Sequence, residues 1–132
     1  MTIYHSIAGL ARKGEKFLIA KRKPGGALGG KWEFPGGKVE PGETHGEAMI
    51  REWDEEFRVT VDPGKFICRG QFTHNGKDFL LSAYEIELFS EDFQLLEHTE
   101  IRWEPINTIE KMDVADSDRA LFSQIKEYYA LD

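Results

Sequence analysis

The sequence predicts an α/β sandwich, and three observations carry that expectation. Short apolar runs separated by glycine, proline and asparagine turns read as strands over much of the chain. Residues 45–57 change to helical spacing, and a second helical pattern follows Asp116. Strands interleaved with helices bury their apolar faces when helices cover a sheet. At 132 residues the chain is long enough for one domain, 1–132, with a real core. Its 40% apolar and 31% charged residues are the composition of a soluble globular protein. No run reaches the length of a membrane-spanning helix, and the N-terminus lacks the basic-then-apolar layout of a signal peptide. The expectation is therefore no membrane partner. Cys68 is the single cysteine, so no internal disulfide forms, and a cytoplasmic location is the simplest home. A net charge of −7 argues against broad binding to a nucleic-acid polymer, which needs a basic footprint. Nucleotides stay open as partners, because their phosphates can arrive with a metal. A monomer or homodimer is expected.

Thr2 to Leu10 reads as a first strand and Phe17 to Lys21 as a second, joined into a hairpin by the turn Lys13-Gly14-Glu15. Pro24-Gly25-Gly26 and Gly29-Gly30 bracket a surface loop. Lys21, Arg22, Lys23 and Lys31 around it either face a polyphosphate or are ordinary solvated cations, and Arg22 is the strongest phosphate candidate. Lys31 to Phe34 is a short strand that runs into Pro35-Gly36-Gly37, where consecutive glycines let the backbone approach a ligand closely.

Thr44 followed by Glu47 is a capping box, which starts a helix near His45. Met49, Ile50, Trp53 and Phe57 form its apolar stripe. Glu52, Glu55 and Glu56 stand at i, i+3 and i+4 and so share another face. Like charges that close repel unless something neutralises them, and a hard divalent cation such as Mg²⁺ takes carboxylate and phosphate oxygens. Beyond Pro63-Gly64, Phe66 to His74 and Lys77 to Leu88 are two long strands with Asn75-Gly76 as a type I′ turn. Residues 97–103 lead into a short strand ending at Pro105. Asp116 reads as the N-cap of a last helix with Leu121, Ile125 and Tyr128 on its apolar face. His5, His74 and His98 have no metal-ligand spacing and read as structural or surface residues.

The stretch Gly36 to Val59 resembles the Nudix box, G-x5-E-x7-R-E-U-x-E-E-x-G-U, with U a bulky aliphatic residue. Gly37, Glu43, Arg51, Glu52, Glu55, Glu56 and Val59 fall on its fixed positions, while Trp53 and Arg58 replace an aliphatic residue and a glycine. The segment WEFPGGKVEPGE is similar to that of the MutT-type branch. The resemblance implies a mixed sheet between helices and hydrolysis of a nucleoside triphosphate, with oxidised or modified nucleotides among the candidates, to monophosphate and pyrophosphate. It implies one or more Mg²⁺ or Mn²⁺ ions held by Glu52, Glu55, Glu56 and the Gly37 carbonyl, with Lys38 on phosphate. Arg51 would hold the catalytic glutamate, pairing with Glu43 or Glu52. Glu52 is the first choice for the base; Glu97, six residues before Trp103, is the second choice or a further metal ligand, and Glu100 a weaker candidate. Asp116, with Asp118 second, would read the nucleobase unless it only caps, and Phe34 either stacks on the base or belongs to the core. Arg58 lacks the freedom of glycine in a left-handed helix end, so either strain or a different exit is expected. Other readings are hydrolysis of ADP-ribose, a dinucleotide or a sugar nucleotide, or a non-catalytic Nudix-fold binding module.

Overall fold

The computed structural model describes residues 2–132. Strands β1 (Ile3–Leu10), β2 (Arg12–Lys13), β3 (Lys16–Arg22), β4 (Trp32–Glu33) and β5 (Gly36–Lys38) precede helix α1 (His45–Phe57). Strands β6 (Val61–His74), β7 (Lys77–Leu88) and β8 (His98–Pro105) follow, and then the short helices α2 (Ile106–Ile109), α3 (Asp116–Arg119) and α4 (Phe122–Tyr128). One sheet runs β5-β1-β7-β6 and is mixed, because β1 lies parallel to β7 while its other pairings are antiparallel. A second sheet joins β2, β3 and β4, with β8 antiparallel along β3. The α/β expectation holds.

The expected hairpin between residues 2–10 and 17–21 is corrected. β1 leaves for the mixed sheet, and only Arg12-Lys13 folds back on Lys16-Phe17. The Asn75-Gly76 turn forms as expected, with φ of 51° and 73° at its two central residues.

Two apolar clusters flank the sheets. Ala48, Met49, Trp53 and Phe57 of α1 pack with Ile7, Leu18 and Val61 on one side. Ile106, Ile109, Leu121, Phe122 and Ile125 of the C-terminal helices pack with Leu10, Phe17 and Phe34 on the other. Ile50, expected in the α1 stripe, is 43% exposed, and Ala48 takes its place. Tyr128 is likewise 45% exposed, with Phe122 buried instead.

The capping box of α1 is complete: Thr44 Oγ1 accepts from the Glu47 N–H at 3.1 Å, and Glu47 accepts from the Thr44 N–H at 2.9 Å. The two unusual residues of the helix have physical explanations. Trp53 fits because Gly9 on β1 faces it; a Cβ there would lie 2.7 Å from the indole Nε1. Arg58 adopts the left-handed conformation itself, at φ 55° and ψ 38°, and its N–H closes on the Asp54 carbonyl at 2.8 Å. Its guanidinium reaches the Asp54 carboxylate at 3.3 Å. The helix therefore ends where a glycine would have ended it.

Candidate active site

A cleft of about 870 Å³ opens along the edge of α1, lined by Arg22, Phe34, Gly37, Lys38, Arg51, Glu52, Glu55, Glu56, Glu97 and Asp116; Lys21, Lys23, Glu43 and Glu100 do not line it. Several segments build it. β1 and β5 pair at Ile7 with Gly37 and Ala8 with Gly36, which brings the glycine pair under α1. A Cβ on Gly36 would overlap the Ile7 carbonyl, and one on Gly37 would overlap the Glu52 carboxylate. These glycines serve close approach, since neither is among the positive-φ residues.

At the mouth, Arg51 is a hub. Its Nε donates to Glu43 Oε2 at 2.6 Å and its NH2 to Glu43 Oε1 at 3.0 Å. NH1 donates to Glu52 Oε1 at 2.7 Å and to Glu55 Oε2 at 3.2 Å, and NH2 also reaches the Lys38 carbonyl at 2.9 Å. Both expected partners, Glu43 and Glu52, are engaged together. The Arg51 hydrogen bonds, helped by the Glu40 N–H, hold the Glu43 carboxyl down to about 2. Glu52 is pushed up instead, because burial outweighs the pull of Arg51.

The floor is different. Glu56 is 5% exposed, and burial together with the charges of Glu33 and Glu52 pushes its pKa well above the usual carboxylate range. Its Oε2 is buried without a hydrogen-bond partner. An orphaned carboxylate oxygen next to the Glu52 carboxylate, in a cleft that Glu55 and Gly37 also line, is a donor set suited to a hard cation. The residues present fit such an ion.

Two floor residues were given no role in the sequence. Glu33 on β4 accepts from Arg22 NH1 at 3.3 Å on both oxygens, so Arg22 meets the cleft already paired. His98 on β8 is buried, with Nε2 2.8 Å from Glu33 Oε2 and 3.6 Å from Glu56 Oε1. Nothing in its spacing announced this, since its neighbours here come from β4 and α1. Glu33 did carry a faint signal, as a charge between Trp32 and Phe34, two residues that both join the core.

Glu97 lines the cleft from the rim with its side chain exposed, and Lys38 is exposed with Nζ 5.5 Å from the centre of the Phe79 ring. Phe34 is a core residue, 3% exposed, set edge-on to Phe17 and Phe122, though it also contributes to the cleft wall. Asp116 is corrected as a cap: Ala115 is the N-cap of α3, with no side-chain bond, and Asp116 is the exposed first helical residue. Asp118 is the buried acid of that turn. Its Oδ2 accepts from the Phe34 N–H at 2.7 Å and its Oδ1 from Ser117 Oγ at 3.0 Å. Burial, then the charge of Glu33, pushes its pKa to about 7. Trp32 secures this geometry by bridging to both Asp113 and Ala115 through backbone hydrogen bonds of 2.9 and 3.0 Å.

The NUDIX domain family model matches residues 4–125. The chain belongs to the Nudix family. Within it, the chain is 31% identical over 103 residues to the CTP pyrophosphohydrolase of Escherichia coli strain K12, covering 78% of this chain and 76% of that protein. It is 43% identical over 58 residues to the 8-oxo-dGTP diphosphatase of Proteus vulgaris, covering 43% of this chain and 52% of that one. The solution structure of the Escherichia coli ORF135 protein superposes with a TM-score of 0.88 at 27% identity, covering 98% of this chain and 93% of that one. The protein is a MutT-like Nudix hydrolase, and the family acts on nucleotide derivatives and generally uses a divalent metal.

Proposed function

We propose that this Nudix hydrolase converts a nucleoside triphosphate to the monophosphate and pyrophosphate, with Mg²⁺ or Mn²⁺. The observation that carries the reading is the orphaned Glu56 oxygen at the floor of a nucleotide-sized cleft, beside two further carboxylates. Glu52, Glu55, Glu56 and the Gly37 carbonyl would hold the ion, with Glu97 reaching in from the rim. When bound, such an ion polarises the phosphoryl oxygens and lowers the charge on the leaving pyrophosphate.

The chain's own residues do the rest. Glu52 takes the proton of the attacking water, because Arg51 fixes one of its oxygens at 2.7 Å and leaves the other toward Gly37. Glu97 is the second choice for this task. Arg51 acts as a positioning residue. Lys38 neutralises phosphate, and Arg22 joins it when Glu33 releases the guanidinium.

Asp118 supports the base-reading role better than Asp116, since it is buried, anchored and close to half-protonated at neutral pH. Protonated, it pairs with an acceptor–donor edge such as N3 and N4 of cytosine; ionised, it accepts from a donor–donor edge such as N1 and N2 of guanine. The names of the relatives, one acting on CTP and one on 8-oxo-dGTP, support the same two classes of base. Removal of damaged nucleotides from the cytoplasmic pool is the role that best suits this chemistry.

The test is release of pyrophosphate, as opposed to orthophosphate, from a panel of normal and 8-oxo nucleoside triphosphates with Mg²⁺. Wild type is expected to release pyrophosphate, and Glu52→Gln to slow release by about 10²–10⁴-fold. Undiminished activity in that variant overturns Glu52 as the base. Absence of pyrophosphate from every triphosphate overturns the reaction and favours a dinucleotide or sugar-nucleotide substrate.

A further inference from the structure

His98 sits at the meeting point of three segments and does more than pack. Its ring lies flat on Phe57, with centroids 5.1 Å apart and planes 10° from parallel. A phenylalanine would make that stack equally well. Histidine is the costlier residue there, because its Nδ1 is buried without a partner. What it supplies is one N–H between two carboxylates. Nε2 must carry the proton, since its neighbour at 2.8 Å is the acceptor Glu33 Oε2.

Glu33, Glu56 and His98 bring their polar atoms within 4.8 Å of one another, so the geometry also has to be weighed as a metal site. Two donors about 2.1 Å from a tetrahedral ion stand about 3.4 Å apart. The 2.8 Å separation of Nε2 and Oε2 is a hydrogen bond instead.

Glu33 is pulled from two directions. On the cleft side, Arg22 NH1 makes one forked contact at 3.3 Å to each oxygen. At the floor, His98 makes the short bond, and the shorter, buried bond decides where the carboxylate rests. The residue after Glu33 is Phe34, whose N–H holds Asp118. Glu33 and Asp118 therefore form one acidic wall of the cleft, and anything that lets Glu33 swing toward Arg22 alters that wall.

We propose that His98 is a positioning residue that fixes the Glu33 carboxylate beside Asp118 through its Nε2–H and so sets the base preference of the cleft. The proposal rests on the cleft being a nucleotide site. It is tested on metal-free protein by calorimetric titration with AMP, GMP, CMP and UMP, a binding measurement independent of hydrolysis. His98→Phe keeps the stack and loses the N–H; the ratio of strongest to weakest affinity should fall about tenfold, with the melting temperature close to that of wild type. His98→Gln, whose side-chain amide reaches toward the same carboxylate, should restore the preference. In a Glu33→Gln background, His98→Phe should cause no further loss, because the effect passes through Glu33. If His98→Phe does not fold, His98→Asn takes its place, its amide being too short to reach Glu33. An unchanged preference, or equal weakening for all four nucleotides, overturns the proposal. A wild type with no preference overturns it too, while pyrophosphate release judges the hydrolase reading separately.

Discussion

The mouth and the floor of the cleft use the same residue type for opposite purposes. At the mouth, Arg51 answers Glu43, Glu52 and Glu55 with five hydrogen-bond contacts including the Lys38 carbonyl, and Glu43 titrates low as a result. At the floor, Glu56 and Asp118 lie buried near Glu33 with too little positive charge around them, and both titrate high. A carboxylate fully paired by the protein helps to hold the fold. One left short of partners costs stability and is available to a ligand. The contrast separates Glu43, which serves the scaffold, from Glu56 and Asp118, which are left for a ligand within the same cleft.

The largest stability effect should come from the mouth. Arg51→Ala leaves three glutamates facing one another and is expected to cost roughly 2 kcal/mol, between the range for surface pairs and that for broken buried pairs. Urea unfolding measures it, and a cost near zero would erase the distinction drawn here.

Asp118 comes next and carries a sign. Its folded pKa of about 7 lies above its ordinary value of 3.8, so the folded state keeps a proton that the unfolded chain has released between those values. Stability from this group is therefore full below pH 3.8 and declines as pH rises to about 7. Asp118→Asn should flatten that decline in urea midpoints taken across the window.

Glu43 has the reverse sign. Lowered to about 2 from 4.5, it contributes stability above pH 4.5 that is lost as pH falls toward 2. Glu43→Gln should shrink the acid limb of the same profile. The smallest effect belongs to the helix end: Arg58→Gly relieves a left-handed non-glycine residue and should stabilise by under about 1 kcal/mol, read as a modest rise in melting temperature.

The same contrast explains what was legible. The mouth comes largely from one continuous stretch: Glu52 and Glu55, like Glu56, could be read from spacing on a capped helix, and Glu43 and Arg51 from the resemblance to the Nudix box. The floor is assembled from β4, α1, β8 and the turn at α3, and no spacing links Glu33, Glu56, His98 and Asp118. Asp116 and Asp118 are both acidic and two residues apart, so the sequence could not tell which faces inward. The backbone bridge from Trp32 to residues 113–115 decides it. Ile50 and Tyr128 failed as core residues for a related reason: helical spacing gives a face, while the width of the buried stripe is set by what packs against it.

The most direct test of the account is Glu56→Gln, measured for both stability and activity at pH 8. If the floor carboxylate is kept for a cation and not for the fold, the variant should melt at the wild-type temperature or above it and release pyrophosphate at least about 100-fold more slowly. A variant that melts lower yet keeps its activity would contradict the account.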